Sequence, residues 1–331
     1  MPRVKPQLIF LLFLLLPHVT SSLNFLPVPP LWWEEVNLFY SGYYLCFHLF
    51  AVISFLCFHF GLKPRARMAF VLWSAVLLVG YAARFAPFFS KPEFPASIQS
   101  EEEQPEVLSV LFAPLNPLTN TESLKTLVFR KLPTLVAVSG LTEKLDLSKA
   151  ENLYHSTYEV PRADGFGVAL YSRIPILDAQ VLNLESDLPP VLSVTLDTLD
   201  TPLRVLLFKT PAPFSAEAYH QTKLLVRRLS TPLRHTSDPL LVLAQLNAPQ
   251  SSLSYNRLRK AAKLSDAMKG YGILKTWHES EPLLHFTLSH VLYRGNLKPL
   301  NYVSTESVGG GHIPMLVEFE FFKPFNVQDA G

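Results

Sequence analysis

Three long apolar runs crowd the first ninety residues of this 331-residue chain and divide it into two parts of different character. The runs cover residues 7–28, 39–62 and 68–88. A helix of about 20 apolar residues is long enough to cross the hydrocarbon core of a bilayer. Pro17 and His18 interrupt the first run, which is either a retained span or a cleaved signal sequence. Residues 1–89 are therefore predicted to form a membrane segment with two to three transmembrane helices.

The basic residues around these runs predict an orientation in the membrane. Arg3 and Lys5 precede the first run, and Lys63, Arg65 and Arg67 fill the turn between the second and the third. Because loops rich in lysine and arginine stay in the cytoplasm, the chain should leave the bilayer after residue 88 on the outer side. The prediction is a multi-pass protein of the cell membrane whose C-terminal domain is extracytoplasmic.

Residues 90–106 are predicted to be an acidic, proline-rich linker. They contain Pro92, Pro95 and Pro105 and the run Glu101-Glu102-Glu103. Such a composition cannot bury a core and is typical of an exposed tether.

The charge balance and the cysteines narrow the class of function. A net charge of +2 is close to neutral and argues against a nucleic-acid partner held by bulk electrostatics. The only two cysteines, Cys46 and Cys57, both lie inside the second apolar run. The domain that follows has neither a disulfide framework nor a cysteine metal site.

Short strand-like runs with a few intervening helical patterns fill residues 107–325. The runs cover residues 107–112, 134–138, 167–171, 191–196, 203–208, 240–244, 286–293 and 315–321. Asn120 or Thr121 can cap a helix whose apolar residues follow at a spacing of three to four, and Ser215 can cap another. Many short strands with few helices predict an α+β domain in which helices cover a two-layer β core.

Several short motifs follow one another in this domain. One strand ends in Ala244-Gln245-Leu246-Asn247, another in Ser172-Arg173-Ile174-Pro175, and the last strand is preceded by Gly310-Gly311-His312-Ile313-Pro314. In this order the segments resemble the endonuclease/exonuclease/phosphatase family, in particular its membrane-anchored bacterial branch. The resemblance implies a DNase I-like fold, a four-layer α/β/β/α sandwich, and magnesium-assisted hydrolysis of phosphoesters.

The resemblance also assigns roles to individual residues. His312 takes the position of the general base, and Asn247 and His290 take neighbouring catalytic positions. Four further residues are predicted to contact a ligand: Asn116, Asn120, Arg173 and Lys209. The two asparagines match metal-site asparagines of the family, and the two basic residues are possible anion contacts.

The acids on which the family's chemistry depends are missing. The family's metal-binding glutamate is replaced by Gly140, and three aspartates are replaced by Gln245, Ser289 and Gly311. Thr210 stands in place of a catalytic histidine. Because magnesium needs carboxylate ligands, this set predicts no metal and no cofactor. Without an aspartate to orient it, His312 is a poor general base.

Three functions stay open at this point. The favoured one is a membrane-anchored pseudoenzyme that binds a protein partner or a phosphate-bearing ligand. The alternative is an active phosphodiesterase or phosphatase with a rearranged site around His312, which draws on Asp164, Asp187, Asp266 or Glu306. The third is a structural envelope protein whose transmembrane spans are the functional part.

Overall fold

The computed structural model describes residues 11, 14–15, 17–19, 21–22, 41–57, 62–91, 94, 107–145, 147, 153–198, 201–280 and 286–321. The chain divides into two compact units, Met1–Pro87 and Phe88–Gly331.

The first unit contains helices α1 (Ser41–Cys57) and α2 (Pro64–Phe85), and a short 3-10 turn follows α2 at Ala86–Phe88. The helices contact one another, and the rings of Phe55 and Phe70 stack with centroids 4.9 Å apart. Within the described part of the chain, one helical stretch, Pro64–Phe88, is apolar and long enough to cross a membrane. The apolar part of α1 is shorter, and the first predicted run lies mostly outside the described residues. The described residues therefore contain one candidate span, and the two to three that were predicted remain unconfirmed.

The second unit contains two six-stranded mixed sheets. The first has the strand order β11-β12-β1-β2-β4-β3 and the second β5-β6-β7-β8-β10-β9. The strands are β1 (Val107–Pro114), β2 (Leu135–Leu141), β3 (Ser156–Val160), β4 (Gly167–Ser172), β5 (Ile176–Leu182), β6 (Val191–Leu196), β7 (Leu203–Lys209), β8 (Leu240–Gln245), β9 (Ser265–Asp266), β10 (Ser289–Arg294), β11 (Leu297–Ser304) and β12 (Met315–Phe321). Three helices join them: α3 (Thr121–Lys131), α4 (Ala216–Leu233) and α5 (Leu253–Ala261).

The alternation of side chains along the strands builds four layers. Inward-facing residues such as Phe112, Ala137 and Leu243 form the core between the two sheets. On the outer face of the first sheet, the apolar stripe of α3 covers residues of β1 and β2. On the outer face of the second sheet, α4 and α5 cover residues of β7 and β8. The structure thus confirms the predicted α/β/β/α sandwich.

Each sheet has one parallel pair of strands near its centre, β1 with β2 and β7 with β8. Inward positions along these strands are apolar until their carboxyl ends are reached. There, Ser139 ends the inward row of β2, while Lys209 and Gln245 end the inward rows of β7 and β8. The polar ends of the two central pairs therefore meet at one end of the layer between the sheets.

The second unit begins before the first strand. Phe88 is buried with the residues of the central core, and its carbonyl oxygen accepts hydrogen bonds from the backbone amides of Gly270 and Gly272, at 3.0 and 2.7 Å. Most of the predicted linker, 90–106, lies outside the described residues. A folded fragment of the domain should consequently begin at Phe88 and not at the first strand.

Candidate functional site

Five polar residues meet where the layer between the sheets ends, and we refer to them as the site cluster: Ser139, Lys209, Gln245, Ser289 and His312. Ser289 is the first residue of β10 and lies opposite Gln245 in the antiparallel pair. His312 directly follows the glycine-rich loop, residues 309–311. The next residue, Ile313, donates its backbone N–H to the carbonyl oxygen of Thr276. Four members of the cluster are buried, and Lys209 is half-buried.

A hydrogen-bond chain crosses from one sheet to the other through this cluster. The hydroxyl of Ser139 donates to Oε1 of Gln245 at 2.8 Å. The amide Nε2 of Gln245 then lies 3.2 Å from Nε2 of His312. With the Gln245 amide in this orientation its nitrogen donates and Nε2 of His312 accepts, which leaves the proton on Nδ1, a buried atom without a hydrogen-bond partner among the described residues. Gln245 thus fixes a neutral tautomer of His312, in the position where the family resemblance requires an aspartate.

Burial and a neighbouring charge keep His312 neutral. Desolvation, followed by repulsion from the Lys209 ammonium, lowers the pKa of His312 from 6.5 to about 4. General bases work best when their pKa is near the working pH, and an imidazole with so low a pKa takes up a proton poorly at neutral pH. The pKa of Lys209 is itself lowered by burial, while Asp164 opposes that shift.

Lys209 occupies the space beside Gly140. Its Nζ donates to the carbonyl oxygen of Leu115 at 3.3 Å and lies 3.0 Å from the position that a Cβ atom on Gly140 would take. Such a Cβ atom would also overlap the carbonyl oxygen of Leu115, and Gly140 has a φ of +84°. No side chain fits at position 140 without a backbone change, and a positive charge stands beside the place where the family carries an acid.

A small cavity lies beside Leu115 and Gly140, the two residues that Lys209 approaches. Its volume is about 200 Å³, and Leu115, Asn116, Lys125, Gly140 and Lys144 are among the residues that line it. The cavity is lined by none of the five cluster residues and adjoins the cluster through Leu115 and Gly140.

Asn247 follows β8 but serves the backbone. Its Nδ2 donates to the carbonyl oxygen of Thr210 at 2.5 Å, and its φ of +49° places it in the left-handed region that asparagine tolerates. Thr210 in turn donates its hydroxyl to the carbonyl oxygen of Leu246. The side chain of each residue thus bonds to the backbone of the other's segment, and the two residues join the ends of β7 and β8.

His290 is not brought to the site cluster. Neighbouring residues of a strand point to opposite faces, so His290 lies on the outer face of the second sheet while Ser289 faces inward. Its Nε2 donates to the carbonyl oxygen of Ala248 at 2.7 Å, and its ring lies 4.8 Å from that of Tyr255 on α5. Desolvation lowers the pKa of this fully buried histidine. His290 is a neutral core residue beneath α5.

Asn116 and Asn120 hold the loop that precedes His312. Asn116 donates to the carbonyl oxygen of Gly310 and accepts from the backbone N–H of Leu118. Asn120 caps α3 by accepting from the backbone amides of Glu122 and Ser123. Backbone groups occupy both polar side-chain atoms of Asn116 and the side-chain oxygen of Asn120.

Arg173 lies at the other end of the first sheet. The register pairs Ser172 with Leu135 at the start of β2, whereas Ser139 at its far end pairs with Val168. The guanidinium of Arg173 donates to the carbonyl oxygen of Leu132, just beyond α3. Of the four predicted ligand contacts, Lys209 is the one whose charged group reaches the cluster.

The four acids considered as replacements do not enter the cluster. Asp164 pairs with Arg162 at the surface, and Glu306 pairs with Arg130. Asp187 accepts from the adjacent Ser186. The last of the four, Asp266, is buried elsewhere and accepts from Tyr255 at 2.7 Å and from the backbone N–H of Met268.

The residues of the cluster do not fit a magnesium ion. Across the described residues, no group of three histidines, cysteines or acids lies close enough to hold a metal. A hard divalent cation needs several oxygen ligands with negative charge, and the ammonium of Lys209 would repel it. The cluster therefore offers no set of donors that would hold the family's divalent metal.

Sequence reasoning missed Glu279, which holds the glycine-rich loop from the other side. Its carboxylate accepts from the hydroxyl of Ser307 and from the backbone N–H of Gly311 at 3.3 Å. The long separation in sequence and the lack of a motif around Glu279 leave no signal that could have found it.

We expect Gly310→Ala to destabilise the domain by about 2 kcal/mol and Gly309→Ala by about 1 kcal/mol. Both glycines have a φ of +81°, so both substitutions carry the same backbone strain. A Cβ atom on Gly310 would also lie 2.5 Å from Oδ1 of Asn116 and 2.7 Å from Oγ1 of Thr119, whereas one on Gly309 would meet nothing closer than 3.4 Å. Chemical denaturation of the two variants measures the difference, and equal losses would contradict the described loop contact.

The comparisons with known proteins bear on the fold and on the family. The sequence profile of the endonuclease/exonuclease/phosphatase family matches residues 116–310. No curated protein sequence matches the chain. The structure is similar to an endonuclease/exonuclease/phosphatase family protein from Bacteroides thetaiotaomicron, with a TM-score of 0.53 and 16% identity over 67% of this chain and 100% of that one.

Two further structures show the same fold. A humanized D. rerio TDP2 has a TM-score of 0.55 and 12% identity over 64% of this chain and 98% of that one. The human Nocturnin catalytic domain with bound sulfate has a TM-score of 0.52 and 15% identity over 68% of this chain and 100% of that one. Because these chains are matched over almost their whole length, the unit from Phe88 onwards contains a complete fold and can be studied as residues 88–331.

Proposed function

We propose that this chain, which belongs to the endonuclease/exonuclease/phosphatase family, is a membrane-anchored pseudoenzyme whose folded domain binds a phosphate-bearing ligand without hydrolysing it. The observation that carries the proposal is the exchange of acid for cation beside Gly140. Where the family places a metal-binding carboxylate, this chain has a glycine without room for a side chain and the ammonium of Lys209.

A half-buried ammonium favours an anion as its ligand. Burial lowers the pKa of Lys209, which means that the charged form lacks part of the solvation it would have in water. No acid of the described residues forms an ion pair with it. A phosphate group in the cavity beside Leu115 and Gly140 would supply that charge. Lys125 and Lys144 line this cavity together with one acid, Glu143. The sulfate held by the Nocturnin catalytic domain supports the idea that this fold accepts such an anion.

The membrane part of the proposal is supported by the surface of α2. Along this helix Leu72, Val76 and Val79 are 60%, 70% and 67% exposed, so its apolar side chains are not used up in packing within the unit. Such a helix is stable in contact with lipid chains. We extend the proposal to a multi-pass anchor with an extracytoplasmic domain, on the basis of the lysines and arginines that flank the apolar runs.

Calorimetric titration of residues 88–331 tests the ligand class. Sodium phosphate should give saturable heat that Lys209→Met abolishes, while Lys131→Met, which removes an exposed lysine at the end of α3, should leave it unchanged. Magnesium and manganese chloride should give only heats of dilution, because the cluster offers them no carboxylate.

Either of two results would contradict the proposal. Saturable binding of magnesium or manganese would show that acids elsewhere have rebuilt a metal site, and the chain would then be an active hydrolase. Phosphate binding that Lys209→Met leaves unchanged would show that the anion does not bind at the cluster. Recognition of a protein partner would then be the better explanation of the domain's function.

A further inference from the structure

A groove on the far side of the second sheet from the site cluster carries a concentrated positive charge. It runs between α4 and α5, whose buried faces cover the outer side of that sheet. Two cavities of about 580 and 630 Å³ form it, and Arg234 and Arg257 line both of them, which makes the two continuous. We refer to this feature as the basic groove.

The helical spacing explains why the charges converge. On α4 the lining residues recur at three to four positions, so they form one stripe, and the same holds on α5. The cations of the groove are Lys223, Arg227, Arg234, Arg257, Lys260 and Lys263, and no aspartate or glutamate lines either cavity. A chain with a net charge of only +2 has thus collected six positive charges along one surface.

These cations are not used within the fold. Among the described residues, none of the six takes part in an ion pair. By contrast, Arg228, the neighbour of Arg227 on α4, pairs with Glu185 outside the groove. Six like charges that repel one another are a cost to the folded state unless a ligand of opposite charge joins them.

The lining identifies the chemistry of that ligand. Arginine forks and lysines bind phosphate oxygens, so the ligand should be a polyanion of phosphate groups. No phenylalanine, tyrosine or tryptophan lines the groove, whereas proteins that hold single-stranded nucleic acid stack its bases on aromatic rings. Instead Leu224 and Leu253 line it, and Leu253 is 44% exposed. Cations interspersed with one exposed and one half-buried leucine suit a lipid surface better than a nucleotide.

We propose that the basic groove between α4 and α5 docks onto the phosphate headgroups of an anionic membrane. The electrostatic attraction of six cations to an anionic bilayer is much stronger than that of a single lysine, because their contributions to the binding free energy add to a first approximation. The proposal rests on membrane anchoring only for the presence of a bilayer near the domain. It does not involve the phosphate ligand of the site cluster, which lies on the inner side of the same sheet.

Co-sedimentation of residues 88–331 with vesicles tests the groove without the apolar helices. The domain should bind vesicles of phosphatidylcholine and phosphatidylglycerol, mixed at about seven to three, and not vesicles of phosphatidylcholine alone. The double variant Arg227→Glu/Arg257→Glu should bind at least about tenfold more weakly, since it reverses two charges of the groove. The matched double variant Lys91→Glu/Lys131→Glu reverses two exposed lysines elsewhere and should bind like the unchanged domain.

Three results would overturn the proposal. The first is equal binding to neutral and anionic vesicles, and the second is an equal loss in the two double variants, which would indicate bulk charge. The third is competition by another source of phosphate: a single-stranded oligonucleotide or inorganic phosphate that displaces the domain at micromolar concentration would make the groove a nucleic-acid or free-phosphate site. Circular dichroism of each variant confirms that it is folded before binding is compared.

Discussion

The protein fragment of residues 88–331 should not accelerate the hydrolysis of bis(4-nitrophenyl) phosphate. The rate should equal that in buffer alone, with or without magnesium or manganese. The expected deficit against an active relative is roughly a million-fold or more, the size seen when a complete catalytic constellation is removed. Among the described residues no group of carboxylates would hold a metal that polarises the phosphoryl oxygen. The Gln245 amide also donates to Nε2 of His312, the atom that would accept a proton from water. His312→Ala should therefore give the same rate as the unchanged domain.

Restoring one of the missing acids should not restore activity. Gln245→Asp restores one of the missing acids, yet it should stay inactive, because Gly140 has no room for a second and the new carboxylate would pair with Lys209. Turnover in the unchanged domain that disappears in His312→Ala would contradict the pseudoenzyme proposal and support the rearranged hydrolase. Turnover that persists in every variant would indicate a contaminating phosphatase, which a second purification by a different method would remove.

The sandwich could be predicted from the sequence because its signals are local. Each strand has a short apolar run, and Asn120 and Ser215 cap helices as their side-chain chemistry favours. Several of the segments that resemble the family lie at the ends of strands that contribute to the site cluster. The number of membrane spans was less well determined, since apolar runs alone do not distinguish a span from a shorter helix such as α1.

Individual site residues were harder to predict because their roles depend on direction and on contacts far apart in sequence. Alternation along β10 turns Ser289 inward and His290 outward, so neighbours in one motif are separated by the sheet. Arg173 follows a well-matched motif but lies at the wrong end of β4. The approach of Lys209 to Gly140 joins two strands of different sheets, and a single sequence contains no signal for such a contact.

Acid should destabilise the domain through His312. Its pKa in the folded state is about 4, below the ordinary value of 6.5 that it regains on unfolding. Between these values the unfolded chain binds a proton that the folded domain does not, so acidification favours unfolding. The penalty is absent above about pH 7, grows as the pH falls, and reaches about 3 kcal/mol near pH 4.

Urea denaturation of residues 88–331 at about pH 7 and about pH 4 measures this effect when it is compared with His312→Gln. We expect the variant to be less stable at both values, because it disturbs the contact with Gln245, but its stability should fall by about 3 kcal/mol less between them. His290 is present in both proteins, so its own depressed pKa cancels in the comparison. His235→Gln removes an exposed imidazole as the matched control and should leave the pH dependence as it is in the unchanged domain. A parallel fall in His312→Gln and the unchanged domain would show that His312 is protonated in the folded state, and the hydrogen bond that Gln245 donates to its Nε2 would then be excluded.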